Sequence, residues 1–335
     1  MGVNLKKIVD SKKISFDILN GKKIAIDAFN TLYQFITTIR QYDGTPLMNH
    51  EGKITSHLSG LLYRTSKMVE AGVLPCYVFD GKPPEFKLVL GERKQRKKEA
   101  LEKLKKAKKE GNEDAMKTYA SQASKLEDYM IEDAKLLLTY LGIPWIQAPS
   151  EGEAQAAYMA KKGDVWAVGS QDMDALLFGA PKLVRNMTIS GRRKLPGKNI
   201  YVNVVPELIE KSQINFSQKE LIVVGLLVGT DFNPHGIKGI GPVGAKKLVE
   251  EYGVDAINEV EWKEEWPSPK TLIDFFTKPP KTNDYKLSWK NPDWDAALDF
   301  LVSKNDFSEK RVGKALNPFK QSLKKGKQTG LDDWC

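Results

Sequence analysis

Four carboxylates within 24 positions are the residues of this chain best suited to chemistry. They form two pairs, each separated by one residue: Glu151 with Glu153, and Asp172 with Asp174. Clustered carboxylates repel one another and lose hydration, which is unfavourable unless a cation offsets their charge. Hard divalent cations such as Mg²⁺ take oxygen ligands of this kind. The spacing therefore predicts a metal site.

Glu153 also has a structural interpretation. Ser150 and Glu153 have the spacing of a capping box, in which a serine and a glutamate three residues later satisfy the first N–H groups of a helix. A side chain that caps a helix in this way is not fully free to bind metal. The sequence alone leaves both roles of Glu153 open.

Further acids stand where predicted strands end. Asp27 follows the apolar residues 24–26, and Asp80 follows the apolar run 75–79. Residues 165–171 form a third such run, ahead of Asp172. Strands that alternate with helices predict a parallel α/β sheet, and ligands of such sheets bind beyond the carboxyl ends of the strands. We therefore expect these acids to converge there.

One more acid lies near a glycine-rich turn. Residues 220–229 form a nearly all-apolar helix, and Asp231 follows it directly. The segment 236–247 then reads Gly-Ile-Lys-Gly-Ile-Gly-Pro-Val-Gly-Ala-Lys-Lys. Glycine N–H groups and a helix N-terminus favour phosphate binding. A plain turn between helices is the alternative. The candidate phosphate contacts are Lys238, Gly239, Gly241, Lys246 and Lys247.

Composition limits the class of protein. No run of about 18 apolar residues is present, so no membrane span is expected. The first residues lack the apolar core of a secretory signal. Two cysteines, Cys76 and Cys335, and three histidines favour neither disulfides nor a zinc site. We expect an intracellular protein.

The charge distribution favours a polyanionic partner. The formal charge is +9, from 52 Lys plus Arg against 43 Asp plus Glu. Residues 82–110 hold twelve basic and five acidic residues, with only a thin apolar stripe. They predict a projecting helix that breaks at Gly111, followed by a second helix over roughly 113–140. A solvated helical hairpin without a nucleic-acid role is the alternative.

These motifs together resemble the flap endonucleases, the structure-specific 5′ nucleases of replication and repair in their archaeal and eukaryotic form. The resemblance covers nearly the whole chain. Its most specific parts are Ile-Asp27-Ala, Tyr-Val-Phe-Asp80-Gly-Lys-Pro-Pro, Ala-Pro-Ser-Glu151-Gly-Glu153-Ala, Gln-Asp172-Met-Asp174, Gly-Thr-Asp231-Phe and Gly-Ile-Lys-Gly-Ile-Gly-Pro.

The resemblance implies an architecture. A PIN-like parallel sheet flanked by helices would form a single nuclease domain over residues 1–318. A helical arch would occupy about 82–131, a helix-two-turn-helix about 231–253, and a tryptophan-rich helical cover 254–318. Residues 319–335 would form a flexible basic tail that ends in a sliding-clamp-binding peptide, 328–335.

The resemblance also implies roles for individual residues. The seven metal-site acids would be Asp27, Asp80, Glu151, Glu153, Asp172, Asp174 and Asp231. Lys87 would be a catalytic base-of-arch residue, and either Lys94 or Arg93 would be the second. The DNA contacts would include Tyr33, Arg40 and Arg64, and the clamp contacts would be Gln328, Leu331 and Trp334.

The implied activity is hydrolysis of DNA phosphodiester bonds at a 5′ flap junction, with 5′–3′ exonuclease activity, in Okazaki-fragment processing and base excision repair. Two Mg²⁺ ions would serve each active site, and Mn²⁺ would substitute. The partners would be branched DNA and a PCNA-type clamp. The clamp peptide departs from the family pattern at Cys335, where a second aromatic is usual. We expect a monomer that is cytoplasmic in an archaeal cell or nuclear in a eukaryotic one.

Three rival functions follow from the same features. A related 5′–3′ repair exonuclease would share the acids and differ in its preference for nicks over flaps. A PIN-type ribonuclease would share the core, but the glycine hairpin and the terminal peptide disfavour it. A DNA-binding scaffold without catalysis is disfavoured because seven unneutralised acids would repel DNA.

Overall fold

The computed structural model describes residues 2–188, 191–194 and 200–328, apart from the side chains of 89–90, 92–94, 108, 192–194, 201 and 321–328. The strands in this part of the chain are β1 Lys12–Lys13, β2 Lys23–Asp27, β3 Leu74–Phe79, β4 Trp145–Gln147, β5 Ala167–Gly169, β6 Lys182–Arg185, β7 Arg192–Lys194, β8 Tyr201–Asn203 and β9 Glu207–Glu210.

The α-helices alternate with these strands in the first two thirds of the described chain. They are α1 Ala28–Thr38, α2 Ser56–Glu70, α3 Val89–Glu110, α4 Glu113–Gln122, α5 Asp128–Tyr140, α6 Gly152–Lys162, α7 Asp174–Leu177, α8 Gln218–Val228, α9 Pro242–Tyr252, α10 Pro269–Thr277, α11 Trp294–Leu298 and α12 Glu309–Gln328. None of the described helices is long and apolar enough to cross a membrane.

Seven strands form one sheet in the order β1-β9-β6-β5-β2-β3-β4. The strands from β6 to β4 are parallel to their neighbours, which confirms the predicted parallel α/β core. β9 pairs antiparallel with β6, and β1 pairs antiparallel with β9, so the complete sheet is mixed. We did not predict β1, because its two exposed lysines carry no apolar pattern. β7 and β8 form a separate antiparallel hairpin.

Two helical layers cover the sheet because its side chains alternate between faces. Ile24 and Tyr77 point into one layer, which contains α1, α2, α5 and α12. Ala25 and Val78 point into the other, which contains α6 to α10. Burial on both faces explains why the central strands are continuous apolar runs rather than alternating ones.

The register of the central strands brings their carboxyl ends to one edge. Asp27 lies beside Val78 of β3, and Ile26 lies beside Gly169 of β5. The chain segments that follow β2, β3 and β5 therefore leave the sheet at the same level. This edge is where sequence reasoning expected the acids to converge.

The highly charged segment forms two helices, as predicted, but the second is shorter than predicted. α3 ends at Glu110, Gly111 has a φ of +65°, and Asn112 caps α4 by accepting the N–H of Ala115. The helix predicted over 113–140 is divided into α4 and α5 by residues 123–127. Arg40 donates to the Ser124 hydroxyl in this break, which ties the turn to the end of α1.

The C-terminal segment is also more helical than predicted. α12 continues to Gln328, nine residues beyond the start of the flexible tail expected at 319. Its apolar face, with Val312, Leu316 and Phe319, is buried against the layer that contains α2. The sequence pattern underestimated this helix because Gly313 and Pro318 interrupt it and both disfavour helix interiors. Residues 329–335 lie outside the described part of the chain.

Candidate metal centre and nucleic-acid interface

The first two acids of the site are held by backbone N–H groups. Asp27, the last residue of β2, caps α1 by accepting the N–H of Asn30 at 3.0 Å. Asp80 follows β3 and accepts the N–H of Gly152 at 2.7 Å. A Cβ atom at position 152 would lie 2.6 Å from the Asp80 Oδ1 atom, so the close approach of α6 to Asp80 requires glycine there. Both carboxylates are therefore oriented before any ligand binds.

The second pair of acids lies on the loop and short helix that follow β5. Asp172 accepts the side-chain amide of Asn30 at 2.8 Å, so α1 orients it from the neighbouring strand. Asp174 begins α7 and accepts the backbone N–H of Val3 at 2.8 Å. The carboxyl edge of β5 thus receives support from two distant parts of the sequence.

The structure decides between the two interpretations of Glu153. α6 begins at Gly152, with Glu151 as its cap residue and no side-chain capping bond, so the Ser150–Glu153 capping box is not formed. The Glu153 side chain instead lies among the other acids, and its Oε1 atom is buried without a hydrogen-bond partner. A buried carboxylate oxygen that lacks a donor is a position where a cation would be stabilising.

Lys87 provides a positive charge inside this acidic group. Its ammonium lies 2.7 Å from Glu151 Oε2 and 3.6 Å from Asp231 Oδ2, and its side chain is only 9% exposed. Burial alone would lower the pKa of Lys87, but Glu151, Asp231 and Asp80 outweigh burial and raise it. The lysine therefore stays charged and joins the loop after β3 to α6 and to the end of α8.

Burial, and after it mutual repulsion, raises the pKa of four of the acids. Burial, and then the charge of Glu151, raises the pKa of Asp80 to about 6. Burial, and then the charge of Asp172, raises the pKa of Asp174 to about 7. The pKa values of Asp27 and Glu153 are also raised, first by burial and then by Asp80 and Asp174 respectively.

These electrostatic interactions connect every acid that the sequence predicted for the site. The connected set is Asp27, Asp80, Glu151, Glu153, Asp172, Asp174 and Asp231. Within residues 2–188, 191–194 and 200–328, however, no three acidic, histidine or cysteine side chains already converge closely enough to hold a metal ion. The acids are neighbours in one charged region rather than a closed cage.

The donor set fits a hard divalent cation. All seven groups offer carboxylate oxygens, one of those oxygens is buried without a partner, and added positive charge would offset their repulsion. Mg²⁺ keeps several of its waters and needs few direct ligands, so it does not require a closed cage of protein oxygens.

The predicted basic and clamp residues are described only in part. The backbones of Arg93 and Lys94 lie in α3, but their side chains lie outside the described part of the chain, so the choice between them stays open. Gln328 ends α12, and its side chain also lies outside the description. Leu331 and Trp334 fall in residues 329–335 and are not described at all.

The predicted DNA contacts Tyr33 on α1, Arg40 just beyond the end of α1, and Arg64 on α2 have different surroundings. Tyr33 is 39% exposed, and the Lys97 ammonium of α3 lies 5.5 Å from its ring centroid. Arg40 donates to the carbonyls of Ile36, Thr37 and Gly44, so its guanidinium also closes the end of α1. Arg64 is half-buried on α2, and burial lowers its pKa.

The glycine-rich turn lies between α8 and α9, two helices that pack against each other. Gly239 has a φ of +83° and open space around its Cα, and Gly241 caps α9 with Pro242 in the first helical position. Lys238 and Lys247 are exposed, and the Nζ atom of Lys246 lies 3.6 Å from the Oε1 atom of Glu250. The first N–H groups of an 11-residue helix thus lie beside lysines on an open surface, an arrangement that suits phosphate.

Sequence reasoning missed three residues that orient the acids. Asn30 holds Asp172, and its place one turn after Asp27 on the same helix was the available signal. Ser170 donates to Asp27 and accepts the N–H of Asp172 at 3.2 Å. Val3 supplies the bond to Asp174, and nothing in the local sequence indicates a contact 171 residues away.

Family models and known structures agree with this geometry. Residues 1–103 match the XPG N-terminal domain, and residues 142–231 match the XPG I-region. The sheet, the acidic edge and these two matches define a nuclease of the XPG type. The chain is 50% identical to flap endonuclease 1 of Pyrococcus horikoshii, over 100% of this chain and 98% of the relative. It is 49% identical to flap endonuclease 1 of Hyperthermus butylicus, over 100% of this chain and 99% of that relative.

Solved structures of related nucleases are also similar to this chain. The flap endonuclease-1 of Methanococcus jannaschii superposes with a TM-score of 0.77 at 40% identity, covering 97% of this chain and 100% of that one. The catalytic core of Rad2 in complex with DNA shares the fold, with a TM-score of 0.66 at 24% identity. The match covers 92% of this chain and 96% of that one. This chain belongs to the flap endonuclease family, whose members are metal-dependent nucleases.

The raised pKa of Asp174 predicts a pH-dependent effect of Asp174→Asn without metal. Folding favours the protonated carboxyl, because the folded pKa is about 7 against a reference of 3.8. Its stabilising contribution is full below about pH 4 and lost as the pH rises through about 7. In EDTA at pH 8 the variant should therefore exceed the wild type in unfolding free energy by on the order of 2 kcal/mol.

Urea unfolding at pH 4, 6 and 8 measures this difference, with the exposed Asp17→Asn as the control. The excess in unfolding free energy of Asp174→Asn over the wild type should shrink towards pH 4. At pH 8 it should disappear when Mg²⁺ is added. A constant difference at all three pH values would show that Asp174 is not electrostatically strained.

Proposed function

We propose that this flap endonuclease hydrolyses DNA at the junction of a duplex and a 5′ single-stranded flap, with Mg²⁺ as its metal. The observation that carries the proposal is that seven acids interact electrostatically within one region of a chain of net charge +9. An acidic centre repels DNA unless cations fill it, whereas the basic helices around it attract the backbone. Water attack on the phosphodiester would leave a 5′ phosphate and a 3′ hydroxyl.

The acids have different proposed roles. Asp80, Glu151, Glu153, Asp172 and Asp174 would lie nearest the metals, and Asp27 and Asp231 would act through water. When bound, two Mg²⁺ ions would supply an activated water and offset the charge of the phosphate. Asn30 and Ser170 would keep the carboxylates around α1 and β5 in place during this step.

Lys87 would stabilise the negative charge that develops on the phosphate. Its ammonium already lies among Glu151, Asp231 and Asp80 and is almost excluded from water, so its charge acts at low local dielectric. Arg93 or Lys94, six or seven residues further along, would add a second positive charge at the base of α3.

The DNA itself would be held without regard to base sequence. The N-terminus of α9 and Lys238, Lys246 and Lys247 would bind phosphates of the duplex, which position the substrate without reading bases. Tyr33, exposed near the acidic edge, would stack on a nucleotide base. α3 and α4 would enclose the flap through their lysines.

Cleavage assays with four labelled substrates test the proposed function: a 5′ flap, a 3′ flap, a ribonucleotide flap and a nicked duplex. A 5′ flap should be cut at its junction in Mg²⁺ and left intact in EDTA, and Mn²⁺ should substitute for Mg²⁺. A 3′ flap and a ribonucleotide flap should be cut much more slowly. Activity that survives chelation, or equal cutting of 5′ and 3′ flaps, would contradict the proposal, and a preference for nicked duplex would favour an exonuclease.

Replacement of Lys87 tests its proposed role in turnover. Lys87→Met should lower kcat on the 5′ flap by about 10²-fold, the usual cost of one donor to a developing oxyanion. The KM for DNA should change little, because the buried ammonium contributes to the transition state more than to duplex binding. Lys82→Met, an exposed lysine five residues earlier, is the matched control. An equal loss in both variants would assign Lys87 to general charge instead.

The C-terminal peptide is proposed to bind a PCNA-type sliding clamp through Gln328, Leu331 and Trp334. Removal of residues 328–335 should leave cleavage of a free flap unchanged and abolish its stimulation by the clamp. Trp334→Ala should reproduce this loss, since an aromatic side chain is the anchor of the peptide. Undiminished stimulation of the truncated protein would rule out this peptide as the binding segment.

A further inference from the structure

A cluster of five phenylalanines lies directly behind the acidic edge. It consists of Phe86, Phe178, Phe232, Phe275 and Phe276, and we name it the phenylalanine cluster. Its ring centroids are 4.8 to 5.9 Å apart within each pair, which is the range of favourable aromatic contacts. The proposed chemistry uses none of these side chains.

Three members of the cluster adjoin residues of the site in sequence. Phe86 precedes Lys87, and Phe232 follows Asp231. Phe178 directly follows α7, the short helix that begins at Asp174. Each of these rings therefore fixes the backbone beside a charged residue of the site.

Phe275 on α10 connects these three rings. Its centroid lies 5.3 Å from Phe86, 5.0 Å from Phe232 and 5.9 Å from Phe178. Among the described residues, no other aromatic side chain pairs with all three. The neighbouring Phe276 pairs with Phe178 and Phe232, at 4.8 and 5.5 Å.

Lys87 depends on such support because it lies in a turn, outside any helix or strand. Its own N–H donates to the Pro84 carbonyl. The Lys87 ammonium lies 6.0 Å from the ring centroid of Phe232. The Phe232 ring packs in turn against Phe86. The direction of the lysine therefore depends on how these rings pack.

We propose that Phe275 is a positioning residue for turnover. Through Phe86 and Phe232 it holds Lys87 at Glu151 and Asp231, and it thereby couples the C-terminal cover to the base of the arch. This inference rests on the proposed role of Lys87 in cleavage. Small displacements of a group that acts on the transition state reduce the rate steeply, whereas they change duplex binding little.

Phe275→Leu tests the inference, with Phe300→Leu, the same change in the core layer on the other face of the sheet, as the matched control. Phe275→Leu should lower kcat on a 5′ flap about tenfold at unchanged KM, because leucine keeps the apolar contact but loses the flat ring. Phe275→Tyr, which keeps the ring, should restore kcat. Phe300 is 5% exposed and lies outside the phenylalanine cluster, so Phe300→Leu should lower the melting temperature while kcat stays within about twofold.

The same substitution in a Lys87→Met background separates positioning from a general packing effect. If Phe275 acts through Lys87, Phe275→Leu should cause no further loss of kcat there. A further tenfold loss, or equal losses in kcat for Phe275→Leu and Phe300→Leu, would overturn the inference. If Lys87→Met lowers kcat while Phe275→Leu leaves kcat unchanged, this inference is overturned and the proposed role of Lys87 stands. Normal turnover of Lys87→Met would overturn the proposed role of Lys87 together with it.

Discussion

Repulsion among buried carboxylates is the interaction on which the rest of the structure depends. A parallel sheet brings the ends of β2, β3 and β5 to one edge, and each of these strands ends at or just before an acid. Their burial raises the pKa of Asp80 to about 6 and that of Asp174 to about 7, so the cluster is strained near neutral pH. Backbone N–H groups, Asn30 and Ser170 hold the carboxylates against this repulsion.

Lys87 relieves part of the repulsion from within the protein. It pairs with Glu151 and Asp231, and the described acids do not close into a cage around a single point. The phenylalanine cluster packs beneath Lys87 and supports the turn that carries this lysine. The site thus combines charge that favours cations with packing that directs the buried ammonium of Lys87.

Much of the fold was predictable because the signals were local. Apolar runs that end in Asp27 and Asp80 predicted parallel strands, and all seven acids lie in one charged region as expected. β1 and the bond from Val3 to Asp174 were not predictable, since they depend on long-range pairing without a local pattern. The Ser150–Glu153 spacing also fitted a capping box and left the role of Glu153 open, but the helix begins later, at Gly152, and Glu153 faces the acids instead. The capping box that does form, between Ser217 and Glu220, begins α8.

Proton release on Mg²⁺ binding tests the central claim most directly. Calorimetric titration of the DNA-free protein in buffers of different ionisation enthalpy measures the number of protons displaced per protein. Because burial raises the pKa of Asp80 to about 6 and that of Asp174 to about 7, about one or more protons should leave between pH 6 and 7, and the release from these two groups should fall towards zero by pH 9. Mg²⁺ binding without any proton release across this range would contradict the account, because it would mean that the seven carboxylates are already ionised and unstrained.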